Sequence, residues 1–190
     1  MKTLVLCDRR SADYFEQDLR AWVREIANGQ AHDVSFITVT GDELSPCLGC
    51  FECWVKTPGL CIMDNDPANT LSAQLIQSDA VILLSEICFG GYSYDIKSFL
   101  DRSIPNISPY FEIIAGEMRH KKRYGCYPVT ISIGYGDFTS EEAQIFKSLA
   151  SRNALNMRPR SHAVFMIQNL GDLDVVKKEL STFLSEEVQA

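Results

Sequence analysis

Residues 80–92 read Ala80-Val81-Ile82-Leu83-Leu84-Ser85-Glu86-Ile87-Cys88-Phe89-Gly90-Gly91-Tyr92. The opening residues are apolar without alternation, which is the pattern of a strand buried on both faces. The run predicts a strand over Ala80–Glu86, too short for a helix and closed by the Gly90-Gly91 pair. Ser93 is then placed to cap a helix running to Arg102. A buried strand passing through a glycine turn into a helix is one unit of an α/β sheet.

The unit recurs in both directions. Lys2–Asp8 is an apolar run ending on a charge, and Asp13 with Glu16 three residues on reads as a helix start. Phe15, Leu19, Trp22, Val23 and Ile26 follow at helical spacing until Asn28-Gly29. Asp33–Thr40 is a second strand, and Pro67 opens the helix that precedes the third. Downstream, Pro128–Ile133 is a fourth strand ending at Gly134-Tyr135-Gly136, and Thr139 with Glu142 forms a capping box for a helix to about Ala154. Ser161–Ile167 is a fifth strand, and Asp172 begins a last amphipathic helix. Residues 103–127, holding Pro105, Pro109 and Tyr110-Phe111, read as an irregular insertion.

Five buried strands alternating with helices predict an α/β fold with a doubly wound, five-stranded parallel sheet, in a single domain over 1–190. Ligands of such sheets sit beyond the carboxyl ends of the strands, at the switch in strand order. Loops 8–13, 41–61, 86–93 and 134–139 are therefore the candidates, expected to converge on one edge.

The longest of these loops is chemically distinctive. Cys47, Cys50, Cys53 and Cys61 give a C-x2-C-x2-C-x7-C spacing, and Asp64-Asn65-Asp66 follows at once. Two C-x2-C steps sharing one cysteine bring three thiols to one side of a tight loop. That suits a cubane iron–sulfur cluster, whose irons take three close thiolates and a fourth from further along. It suits zinc less well, because structural zinc sites join two separated pairs. Compact packing of small apolar thiols is the alternative, and the spacing leaves both open.

Composition narrows the class. Of 190 residues, 46% are hydrophobic and 23% charged, an ordinary globular balance. A formal net charge of −7 argues against nucleic-acid binding, which wants a basic face. The basic run Arg119-His120-Lys121-Lys122-Arg123 reads as a solvated surface segment. No apolar run approaches a membrane span, and the first residues become charged too early for an export signal. Seven cysteines, an odd number, without such a signal predict a reduced cytoplasmic setting. Cys7, Cys88 and Cys126 are isolated, and His32, His120 and His162 lack any mutual spacing of a metal site. Ser11, Ser85 and Ser93 lack the strand-turn-helix context of a hydrolase nucleophile.

Three stretches carry a family likeness: Pro46–Trp54 with Pro58–Cys61 and Asp64-Asn65-Asp66; Phe89–Ser93 leading to Lys97–Arg102; and Gly134-Tyr135-Gly136. With the strand–helix order, they make the chain resemble the flavodoxin-like NAD(P)H-dependent FMN reductases, particularly the iron–sulfur flavoprotein branch. The resemblance implies strand order 2-1-3-4-5 and FMN at the carboxyl edge. It places the FMN phosphate on Arg9, Arg10, Ser11, Ala12 and Asp13. There the chain departs from the family's longer glycine- and serine/threonine-rich loop, leaving Ser11 as the hydroxyl and Arg9 or Arg10 to pair with the anion.

The resemblance places the isoalloxazine ring along Ile87, Cys88, Phe89, Gly90, Gly91 and Tyr92, with Gly134, Tyr135 and Gly136 opposite. Phe89 or Tyr92 would stack on the ring and Tyr135 would pack from the fourth-strand loop; Ile87 stands where the family usually has proline. NAD(P)H would be the co-substrate and a quinone, another small electrophile or a protein the electron acceptor. No side chain is implied as a catalytic acid or base. A [4Fe-4S] cluster on Cys47, Cys50, Cys53 and Cys61 would add one-electron transfer. Relatives tend to dimerise around the flavin, so a homodimer or higher homo-oligomer is expected. A pure electron carrier and a cofactor-free flavodoxin-like binding domain are the competing readings. Asp101 and Arg102 read as an ion pair or helix-end charges fixing the insertion that follows.

Overall fold

The computed structural model describes residues 2–11 and 33–189. The helix expected from Asp13 to Ile26, with Ala12 and Asp13 of the expected phosphate loop, lies outside the described residues. In chain order the elements are β1 (Lys2–Asp8), β2 (Asp33–Val39), the single-turn α1 (Glu52–Val55), α2 (Ala68–Ile76), β3 (Ala80–Cys88), β4 (Gly91–Tyr92), α3 (Tyr94–Arg102), β5 (Ile107–Ile114), β6 (Glu117–Lys122), β7 (Val129–Tyr135), α4 (Ser140–Met157), β8 (His162–Ile167) and α5 (Asp172–Gln189).

The central sheet runs β2-β1-β3-β7-β8, every neighbouring pair parallel. Counting only those five strands, this is the expected 2-1-3-4-5 order of a flavodoxin-like fold. The β3 run explains its own placement. Ala80 to Leu84 are all buried, and alternate side chains enter opposite layers. Ile82 and Leu84 join Val5, Ile131 and the α5 residues Val176 and Leu180. Val81 and Leu83 join Leu4, Leu6, Leu71 of α2, Phe99 of α3 and Phe146 of α4. At about 1.5–3 kcal/mol per large buried apolar side chain, these two layers hold the sheet between its helices.

The sheet edge is also fixed locally. The Thr139–Glu142 capping box forms as expected, with Thr139 Oγ1 accepting the Glu142 amide at 3.2 Å and Glu142 Oε2 accepting the Thr139 amide at 2.8 Å. Ser93 precedes α3 but makes no side-chain cap. Its amide donates instead to Ser85 Oγ at 2.8 Å, tying the helix start to β3.

Residues 103–127 are not irregular. They hold an antiparallel ribbon, β5 paired with β6, with a register shift between Ile107 and Phe111. Pro109 falls within that shift, where a missing ladder N–H is tolerated, so reading the prolines as breakers hid the strand. The ribbon turns at Ala115 and Gly116, whose φ values of 51° and 80° match a two-residue hairpin turn.

Candidate functional site

Parallel strands β1, β3 and β7 end on one side of the sheet, and Asp8 at the end of β1 joins those ends. Its carboxylate, on a residue only 1% exposed, accepts the Ser11 amide at 2.9 Å, the Glu86 amide at 2.7 Å and the hydroxyl of Tyr135. Ser11 Oγ donates to the Asp8 carbonyl at 2.6 Å. Burial, then the Asp8 hydrogen bond, push the Tyr135 phenol well above its ordinary range, so it stays protonated as a donor.

Charge pairs bring in the remaining loops. The Arg9 amide and Nε donate to Asp95 of α3 at 3.1 and 3.0 Å, and its Nη1 reaches Asp42 at 2.8 Å. Asp95 also accepts the Gly41 amide at 2.7 Å. Burial works to raise the Asp95 carboxyl, but Arg9 and the two amides hold it below the usual carboxylate range. Arg10 pairs with Glu86 at 3.0 Å. Segments 8–11, 41–42, 86–88 and 134–136 thus meet at the carboxyl edge.

Between β3 and β4, Phe89 and Gly90 both have positive φ, 51° and 75°, and form a two-residue turn. Phe89 is 94% exposed. Tyr92 and Tyr135 differ from expectation, because their rings face the core. Tyr92 pairs with Ser132 Oγ at 3.0 Å and sets its ring edge-on to Phe146, and Tyr135 is spent on Asp8. Ile87 points inward onto Gly134, where a Cβ would come within 2.7 Å of it. Ile87, Gly90, Tyr92 and Gly134–Gly136, expected along the ring, are buried, so what the edge leaves open to a flat ring is Cys88, the Phe89 side chain and half-buried Gly91. Cys88 is exposed, and partial desolvation followed by Glu86 and Asp8 push its thiol up, away from a reactive thiolate.

The donors at this edge differ in what they leave for FMN. Ser11 is engaged with Asp8 through its amide and hydroxyl, so those groups serve the fold. Arg10 is different: it pairs with Glu86, yet its side chain is 65% exposed, so a phosphate can reach its guanidinium from solvent. A guanidinium at the β1 loop and the exposed Cys88-Phe89 side of the β3–β4 turn fit the two ends of FMN.

The thiols gather elsewhere. The loop leaves the edge at Gly41, tied to Asp95 in the first turn of α3, whereas Arg102 in the last turn holds the cysteine segment. Seven residues separate the two anchors, on the order of 10 Å of helix. The expected convergence at one edge therefore holds for the loops after β1, β3 and β7 and the start of the cysteine loop, not for its thiols.

Cys47, Cys50, Cys53 and Cys61 line one cavity of about 290 Å³. The chain reaches this shape through Gly49 and Phe51, both at positive φ, before α1 buries Cys53. Burial, then Cys61, Cys47 and Cys50, push the Cys53 thiol up, since neighbouring thiolates would repel one another. Among the described residues, no three His, Cys, Asp or Glu side chains converge closely enough for a single metal ion. Four thiols spread around a cavity do not match one zinc with ligands at about 2.3 Å. They fit a cubane cluster, whose thiolates bind separate corner irons and whose iron charge offsets their repulsion.

One guanidinium holds that loop closed. Arg102, 2% exposed, donates through Nη1 to the Ser45 carbonyl and Asp66 Oδ2, both at 2.6 Å. Its Nη2 reaches the Met63 carbonyl at 3.0 Å and Asp66 Oδ1 at 3.2 Å. Arg102 therefore fixes the preceding cysteine loop, not the following insertion, while Asp101 pairs with Lys97. Asn69 adds a second tie, accepting the Cys61 amide at 3.0 Å and donating to its carbonyl at 2.9 Å. Asp66 stood out in sequence only as part of an acidic cluster. Asn69 and the joining role of Asp8 carried no local signal, because their partners lie far away in the chain.

With this geometry in place, comparison with known proteins is decisive for the family. The model of the NADPH-dependent FMN reductase family matches residues 1–170. The chain belongs to this family. Among curated relatives, an iron–sulfur flavoprotein of Methanocaldococcus jannaschii is 37% identical over 86 residues, 44% of this chain and 43% of that protein. An iron–sulfur flavoprotein of Archaeoglobus fulgidus is 28% identical over 142 residues, 65% of this chain and 63% of that one. The chain thus spans less than two thirds of each. An FMN-dependent NADH-azoreductase from Bacillus anthracis, solved in complex with FMN, superimposes with a TM-score of 0.61 at 11% identity, covering 97% of this chain and 98% of that chain. At that identity the likeness speaks for the fold.

Proposed function

We propose that the protein is an FMN-dependent NAD(P)H oxidoreductase that passes electrons through bound flavin to a small-molecule or protein acceptor, with a [4Fe-4S] cluster on Cys47, Cys50, Cys53 and Cys61. The observation that carries the flavin reading is the meeting of the β1, β3 and β7 loops around Asp8 in a family of FMN reductases. The curated relatives' names and the four-thiol cavity support the cluster.

Bound FMN supplies hydride acceptance from a nicotinamide and release of its electrons singly or in pairs. The chain's part is placement. Arg10 meets the phosphate at the β1 loop, while the Arg9 guanidinium is spent on Asp95 and Asp42. Cys88, Phe89 and Gly91 at the β3–β4 turn border the ring, and Phe89 shields it from water. Asp8 keeps these loops in register. Arg102 and Asn69 hold the four thiols around their cavity. The reading also takes residues 1–190 as one domain and the protein as a cytoplasmic homo-oligomer. Among the described residues, no helix is long and apolar enough to cross a membrane.

Titrating the apoprotein with FMN tests the reading: saturable quenching of flavin fluorescence at micromolar protein is expected. Absence of saturable binding removes the reductase and leaves a flavodoxin-like domain without flavin.

A further inference from the structure

The β5–β6 ribbon has two unlike faces. Its register sets Phe111 opposite His120, Glu112 opposite Arg119, Ile113 opposite Met118 and Ile114 opposite Glu117. Alternation then puts Glu112, Arg119 and Glu117 on one face and Phe111, His120, Ile113 and Met118 on the other. The charged face is turned to α4: Glu117 pairs with Arg152 at 2.7 Å, and Glu112 pairs with Arg158 at the end of that helix. The apolar face continues into the cysteine loop through ring contacts. Phe111 lies 4.5 Å from His120, His120 5.6 Å from Trp54, and Trp54 4.9 Å from Phe51, centroid to centroid.

This face is open. Phe51, Phe111, Met118 and Ile113 are 52% to 73% exposed. Together they leave on the order of 500 Å² of contiguous apolar surface, the size at which such patches mark interaction sites. A two-stranded ribbon is marginal in water by itself, and exposed ion pairs to α4 add little. The face therefore calls for a cover that is present whenever the chain is folded. Area and composition say which. Transient electron-transfer contacts are small, whereas homodimer interfaces are larger and about 65% apolar. Two such faces supply about 1,000 Å² of apolar area, close to that share of a standard interface of about 1,600 Å².

We propose that the apolar ribbon face is a homodimer interface, in which the ribbon of one copy packs on the ribbon of a second across a two-fold axis. Phe111, Ile113 and Met118 of each copy are then buried by the same face of the other. The inference rests on the homo-oligomer of the reading above and gives it a surface, on the ribbon and not around the flavin.

Ile113→Lys combined with Met118→Lys sets two cations on this face and leaves the ion pairs to α4 in place. Sedimentation equilibrium of the full chain at micromolar protein is expected to give a dimer, or an even-numbered assembly, for the wild type. The double variant is expected at half that mass, its association weakened about 100-fold or more by like charges brought face to face. A double variant that keeps its fold by circular dichroism and sediments at the full wild-type mass overturns the inference. Should the double variant unfold, Ile113→p-benzoylphenylalanine gives the answer. Irradiation is expected to join two copies through residues 107–122 or 51–54, and a dimer that stays unlinked, or links elsewhere, overturns the inference. The wild type separates the two levels. A wild type that sediments as one chain overturns the homo-oligomer reading together with this interface and leaves the face to a different protein, whereas a wild-type dimer indifferent to the ribbon overturns the interface alone.

Discussion

Arg102 and Asp66 form a buried, two-pronged ion pair, Nη1 to Oδ2 at 2.6 Å and Nη2 to Oδ1 at 3.2 Å, across the mouth of the cysteine loop. Asp66 also accepts the Ser45 amide at 2.8 Å and the Ala68 amide at 3.0 Å, so it joins the loop's entry to the start of α2.

Asp66→Asn should therefore destabilise the fold by about 3–5 kcal/mol, the usual cost of leaving a buried charge without its partner. Burial pushes the Asp66 carboxyl up, but Arg102 and the two amides outweigh it and hold the carboxyl below its ordinary 3.8. A carboxylate with a depressed folded pKa stabilises fully above its unfolded pKa and loses that contribution as pH falls through the folded value. Urea unfolding should show a constant difference between wild type and variant near neutrality. That difference should shrink only below about pH 4. A difference that shrinks already between pH 7 and 5 would be wrong for this pair.

Asp8 gives a second stability test. Asp8→Ala strands the Ser11 amide, the Glu86 amide and the Tyr135 hydroxyl at once, whereas Tyr135→Phe removes a single donor. Tyr135→Phe is expected to cost about 1–3 kcal/mol and Asp8→Ala more, read as urea midpoints at unchanged slope. Equal losses would mean that Asp8 does not join the three loops.

How much of this was legible in sequence depended on whether the signal was local. The buried run at Ala80–Leu84 and the Thr139–Glu142 box carry their meaning within a few residues, and both stand as read. The β5–β6 ribbon was hidden because Pro109 sits in a bulge, which sequence alone reports as a break. The resemblance sets the side chains of Tyr92 and Tyr135 against a ligand, but which face a side chain takes depends on partners such as Ser132 and Asp8 far along the chain. The four cysteines declared themselves by spacing, while Arg102, which holds them, looked like an ordinary helix end until the fold brought Ser45 and Asp66 beside it.

Arg10→Ala should weaken FMN about 10- to 100-fold, the effect of one charge-assisted hydrogen bond, and leave riboflavin affinity unchanged. Fluorescence titration with both flavins reads this directly. Equal losses for the two would place Arg10 away from the phosphate.

Gly91→Val should spare the fold and impair flavin binding. A Cβ at Gly91 meets only the Cys88 carbonyl, at 3.4 Å, an ordinary contact. The variant is expected to keep its thermal midpoint and lose FMN affinity at least tenfold by crowding the ring. Unimpaired binding would move the ring off the β3–β4 turn.

The most direct test of the account is a visible absorption spectrum of the protein purified without air, taken before and after adding NADPH or NADH. The account predicts oxidised-flavin bands over a broader iron–sulfur shoulder, with the flavin bands bleaching on addition of one of the two nucleotides. A spectrum that stays featureless after FMN is supplied, or flavin bands that neither nucleotide bleaches, would contradict it.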